Sequence, residues 1–225
     1  MFYKSMKFNF NTFDIKNNIA FQKKLMAKCA IPKGNGQKED CAIYLLDRSL
    51  IEDRFYYQKA KKDNPIWKNS QFINIIDEYI SDPNADTEGD LDLCETEFYT
   101  MEDSSGNCIG HCVAYVETPD TSYYNKPTLH VEYLERIPEA KGNKAFDYKY
   151  IGQTLLSFLA MSARKRNLDN LNLYMAKNSN GFYLRKCFFK EEFDSLQDAY
   201  LASKDYDKLI EANNKNRGNA IEFFG

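Results

Sequence analysis

Tyr148-Lys149-Tyr150-Ile151-Gly152-Gln153-Thr154-Leu155-Leu156 is the stretch on which the reading of this chain turns. Ahead of it, residues 129–137 alternate polar and apolar and read as a strand closed by Pro138, with a loop over 139–146. Behind it, Leu155, Leu156, Leu159 and Ala163 mark one face of a helix over 152–166. A helix that opens at a glycine leaves its first-turn N–H groups and the positive end of its dipole unshielded, and a phosphate can sit there. Lys149 adds a positive charge beside it. One glycine before a helix is by itself an ordinary packing feature, so its neighbourhood decides.

Working upstream, residues 97–101 and 108–116 flank Glu102-Asp-Ser-Ser-Gly106-Asn107, which has the turn chemistry of a hairpin. Downstream, 171–175 reads as a buried strand, and a short helix follows over 179–186, with Asn178 suited to cap it. Residues 188–193 look extended, 196–212 read as an amphipathic helix and 220–224 as an edge strand. The order from Glu97 is β-β-β-α-β-α-β. The strands on either side of the first helix are expected to be parallel, joined by a right-handed crossover. Before Asp82 the pattern is mostly helical (Ile15, Ile19, Leu25, Met26, Cys29; Leu45, Leu46, Leu50, Ile51, Phe55), with a short opening strand over 7–13. Residues 82–97 are acidic, either a solvated loop or a rim that attracts a cationic acceptor.

A length of 225 residues and 26.2 kDa fits one domain in three parts: a mainly helical 1–90, a core over 91–194, and 195–225 as a closing helix and edge strand. The net charge of −3 gives no basic field for nucleic acid or anionic lipid. No apolar run approaches the roughly 20 residues of a membrane helix, and residues 1–10 do not look like a signal peptide, so a cytoplasmic protein is expected. Six cysteines at this length read as reduced thiols. Cys108, His111 and Cys112 invite a zinc site. On a strand, however, 108 and 112 share a face and 111 points away, and the other histidine is His130, so no metal is expected.

The opening stretch and the segment Tyr183-Leu-Arg-Lys-Cys187-Phe188 together resemble the GNAT superfamily of acetyl-CoA-dependent N-acetyltransferases. The family's phosphate loop is matched by Lys149, Gly152 and Thr154, and its later Tyr-x-x-x-Gly-Phe by Tyr183, Cys187 and Phe188. The resemblance covers 97–193. It implies an α/β fold with a mixed, mostly antiparallel central sheet flanked by helices, here with a helical N-terminal extension. It also implies acetyl transfer from acetyl-CoA to a small-molecule or peptide amine, with a homodimer as one possible state. A bulge is implied in the strand that ends near Ile137, splaying it so that Glu135, Arg136 and Ile137 bond the pantetheine arm. The diphosphate would lie on Lys149, Tyr150, Ile151, Gly152, Gln153 and Thr154, with Asn178 nearby. Tyr183 is implied as the acid next to the sulfur, and Glu132 or Glu135 is a candidate base. In a regular strand those two carboxylates face opposite sides, so only a bulge would let both reach one cleft. Cys187 stands where the family has glycine and would be uncomfortable at positive φ. The rival reading is a non-catalytic GNAT-like module acting through a protein partner.

Overall fold

The structure, a computed structural model, describes residues 23–46, 96–119, 125–136, 148–176, 179–192 and 195–225. The chain enters as two antiparallel strands, β1 (Lys23–Pro32) and β2 (Lys38–Leu46), turned at Gly36 with φ 84°. The hairpin expected around Gly106 follows as β3 (Glu97–Asp103) and β4 (Cys108–Glu117). Asp103 shapes its turn by accepting from the Ser105 and Asn107 amides, and Gly106 supplies the positive φ of 79°. Next come β5 (Thr128–Arg136), helix α1 (Ile151–Lys165), β6 (Asn170–Tyr174) and a π-helical turn over Gly181–Lys186. The chain closes with β7 (Lys190–Glu192), β8 (Ser195–Ala202), α2 (Tyr206–Arg217) and β9 (Glu222–Phe223).

These strands form one sheet in the order β7-β8-β6-β5-β4-β3-β2-β1-β9. Among the described strands only β5 and β6 run parallel, joined through α1 as the sequence led us to expect. Helix α1 lies on one face of the sheet. Leu155, Leu156, Phe158 and Leu159 are fully buried with Ile31, Ile43, Met101 and Leu129, each contributing about 1.5–3 kcal/mol of hydrophobic stabilisation. Its basic last turn is satisfied within the protein: Arg164 pairs with Asp207, and Arg166 reaches Glu97 at 2.9 Å.

Two expectations are corrected. Residues 23–46 are a hairpin and not helix. The remainder of 1–90 lies outside the described residues, as do the strand at 7–13 and the acidic stretch before Thr96. Residues 196–202 belong to β8, and the final helix begins only at Tyr206. The helix α1 and the strands at 97–103, 108–117 and 128–136 stand where the sequence put them. Among the described residues, no helix is long and apolar enough to cross a membrane.

Candidate functional site

The site begins where the sheet opens. β5 pairs with β6 only from Thr128–Asn170 to Val131–Leu173. Beyond Val131 no described strand pairs with β5 on that side, while its other edge stays bonded to β4 as far as Arg136. The parting coincides with a bulge: Tyr133 lies opposite Val113 and Val131 opposite Ala114, so Glu132 is the extra residue. A bulge bends its strand and re-aims side chains, and here it coincides with the end of the β5–β6 ladder. Ile137, proposed for that edge, lies outside the described residues.

Helix α1 starts beside this opening. Tyr150 precedes it in a left-handed conformation (φ 64°) and stands 40% exposed. The helix has no side-chain cap and no acidic residue in its first turn. The N–H groups of Ile151, Gly152 and Gln153 therefore have no intrahelical acceptor, and Lys149 stands exposed next to them.

The side chains expected at a phosphate divide. Thr154 is fully buried, and its hydroxyl donates to the Tyr150 carbonyl at 2.8 Å and contacts Asn213 at 3.3 Å. Its amide donates to the Tyr150 carbonyl, so neither group is left for a ligand. Gln153 is buried as well, tying the helix start to the Lys186 carbonyl (2.8 Å) and to Asn216 (3.1 Å). Ile151 packs beneath Gly110. Lys149, Tyr150 and the main chain around Gly152 remain. Gly152 is closely packed: a Cβ there would lie 3.2 Å from Phe182 Cζ and 4.0 Å from Leu134 Cδ2. The glycine thus marks the point where β5, the helix start and the π turn converge.

Tyr183 follows Phe182 in that turn. Its ring is 9% exposed and stands edge-on to Phe182 and Phe189. No described residue hydrogen-bonds its hydroxyl, and burial, with a smaller effect of Cys187, pushes it up to about 12. The phenol is therefore a protonated donor at neutral pH. Cys187 is not strained: its φ is −112°, and the left-handed residue is Phe188 at 64°. The position expected to need positive φ is displaced by one, so Phe188 turns outward and Phe189 enters the core. Asn178 lies outside the described residues.

The bulge settles how the two acids face. Glu135 Oε2 accepts from Tyr133 at 2.9 Å and lies 3.0 Å from His111 Nε2, directly across on β4. Glu132 reaches His130 Nε2 at 3.5 Å, and Glu117 lies 3.6 Å from its Nδ1. His111 stacks on Tyr133, and His130 on Tyr115, two β4–β5 pairs on one face. The extra residue brings Glu132 and Glu135 to that face together with both histidines. Burial lowers His111 despite the opposing pull of Glu135, so its neutral imidazole can donate to the carboxylate. Sequence reasoning missed Tyr133 and His111 as partners of Glu135. The i, i+2 spacing of 133 and 135 was a usable signal, whereas the His111 pairing depends on the β4–β5 register.

The strand order, the single parallel pair and the bulge beside it make this a GNAT-type fold. Solved structures with a related arrangement include a GNAT-family acetyltransferase from Staphylococcus aureus Mu50, with 14% identity over 72% of this chain and 99% of that one and a TM-score of 0.43. Another is a mutant form of the spermidine/spermine N-acetyltransferase SpeG from Vibrio cholerae, with 16% identity over 75% and 98% and a TM-score of 0.43. A third is AtaTR bound with AcCoA, with 9% identity over 75% and 97% and a TM-score of 0.48. No protein-family model and no curated protein matches the chain.

Proposed function

We propose that this chain is an N-acetyltransferase that moves an acetyl group from acetyl-CoA to a primary amine by direct attack in a ternary complex. The observation that carries this reading is the convergence at Gly152 of the bulged strand β5, a helix start without a side-chain cap and the turn bearing Tyr183. The stretch Glu135, Arg136 and Ile137 at the end of β5 would pair with the pantetheine amides. The diphosphate would lie against Lys149, Tyr150 and the first-turn amides. Ile151, Gln153 and Thr154 contribute main chain or packing, and Asn178 remains a proposed neighbour.

In the reaction, the neutral amine nitrogen attacks the thioester carbon, a β5 N–H stabilises the oxyanion, and the C–S bond breaks. Tyr183 gives its proton to the leaving thiolate. Glu135, with Glu132 as the second candidate, takes the proton that the ammonium must first lose. Glu117, Glu132 and Glu135 on one face favour a cationic amine, the class to which the substrates in SpeG's name belong.

One observation favours the rival reading of a binding module: the Phe182 ring rests on Gly152 where a diphosphate would approach. A thermal-shift titration separates the two. Acetyl-CoA at a hundred times Kd stabilises by about 2.7 kcal/mol, a rise of several degrees, and acetate alone gives none. Release of free CoA thiol with a panel of amines then reports transfer. No shift at millimolar acetyl-CoA sinks the transferase reading.

A further inference from the structure

We infer that Cys29 and Cys41 form a cross-strand dithiol that a peroxide converts to an intramolecular disulfide. The two residues are directly opposed on the antiparallel strands β1 and β2, so their side chains leave the same face. Opposed antiparallel residues stand about 4.5–5.5 Å apart at Cα, within the roughly 4.4–6.8 Å that a disulfide spans.

Both thiols are free and buried on the core face with Ile31 and Ile43, and both residues border a cavity of about 540 Å³ between this hairpin and residues 219–222. Arg217, 1% exposed, donates to the carbonyl of Ala30, the neighbour of Cys29, and its Nε has no hydrogen-bond partner among the described residues. No described carboxylate forms an ion pair with it. A buried guanidinium without an anionic partner favours whichever nearby group becomes an anion, and each thiol becomes one during the exchange.

The chemistry balances. One thiol loses its proton, its thiolate attacks the peroxide, the O–O bond breaks, and a sulfenic acid and hydroxide result, the hydroxide taking up the released proton to leave as water. The second thiolate displaces hydroxide from that sulfur, the S–S bond forms, and a second water leaves. Burial pushes Cys29 up to about 11, so the reaction is slow at neutral pH and accelerates as pH rises.

The experiment treats the intact native chain with hydrogen peroxide, quenches, denatures, blocks remaining thiols and maps tryptic peptides. The expected result is a loss of two hydrogens, a linked pair of peptides spanning 29–33 and 39–48, and a fall in titratable thiols from the six of the sequence to four. The oxidised chain should melt higher by up to about 10 °C, returning to its start with a reductant. Cys29→Ser should abolish the product. Sulfinic acids at both positions, a bridge to any other cysteine, or six thiols still titratable after treatment at pH 9 would overturn the inference. The wild-type peptide map decides even if the serine variant folds poorly.

Discussion

Replacing Gly110 by alanine tests how the helix start is seated on the sheet. Gly110 lies inside β4, opposite Met101 and Arg136. A Cβ there would meet Ile151 Cγ2 at 2.5 Å, the Glu135 carbonyl at 3.2 Å and Leu155 Cδ1 at 3.4 Å. The first of these is an impossible approach, so Ile151 must turn or α1 must lift from the sheet. The second atom is backbone and can yield only by moving β5. Overpacking of this kind costs about 1–3 kcal/mol, and in a chain of this size each kcal/mol lowers Tm by about 2–4 °C. A drop of about 3–10 °C by calorimetry is expected. The cause can be isolated in a double-mutant cycle. Ile151→Ala removes the clashing methyl, so Gly110→Ala should cost about 1 kcal/mol less in that background than in the wild type. If Gly110→Ala melts within a degree of wild type, or its cost is the same with and without Ile151, the described seating of the helix is wrong.

Other outcomes follow from the site and its supports. Tyr183→Phe should lower turnover at least about tenfold while leaving acetyl-CoA affinity nearly unchanged; unchanged turnover removes the phenol from the acid role. Glu135→Gln should reduce kcat at neutral pH with Tm within a few degrees, because the amide oxygen still accepts from Tyr133; equal rates would move the base elsewhere. Arg217→Met should destabilise by about 1–3 kcal/mol, since it removes the donors to the Asn214 and Asn219 side chains and one of the two donors to the Ala30 carbonyl, and denaturant melts would show it. Alkaline pH should also weaken the fold. Burial holds Cys29 up to about 11 against the ordinary 9.0, and Tyr183 and Cys187 up to about 12. The unfolded chain gives up those protons first, so their contribution is complete below pH 9 and is lost as pH climbs through 11 to 12. A Tm that stays flat to pH 11 would contradict this.

What the sequence revealed, and what it hid, has local causes. The hairpin around Gly106 and helix α1 were legible because their periods are clean and their turn residues match the turn. β1 was not. Its bulge lies between Leu25 and Ala27, so the adjacent Met26 and Ala27 both point inward. Apolar residues at 25, 26 and 29 then mimic a helix face. β8 ran together with α2 because no proline or glycine separates them; Ser203-Lys-Asp205 makes the break as a 3-10 turn. At the site, the resemblance pointed to the end of β5 and to Tyr183. The fates of Thr154 and Gln153 could not be read, because Asn213, Asn216 and Lys186 reach them only in three dimensions.

The dressing of the β1 edge has a consequence for assembly. Two-residue β9 pairs only with Ala27 and Lys28, and the Asn219 side chain then poses as a peptide group, donating to the Ala30 carbonyl at 2.9 Å and accepting its amide at 3.3 Å. The C-terminal tail is thus a hem stitched along the outermost strand. Trimming it would bare the main chain of β1 from Met26 to Ala30, and such margins recruit strands from neighbouring molecules. A proteolytic nick after Arg217 would therefore register first as self-association and only later as unfolding.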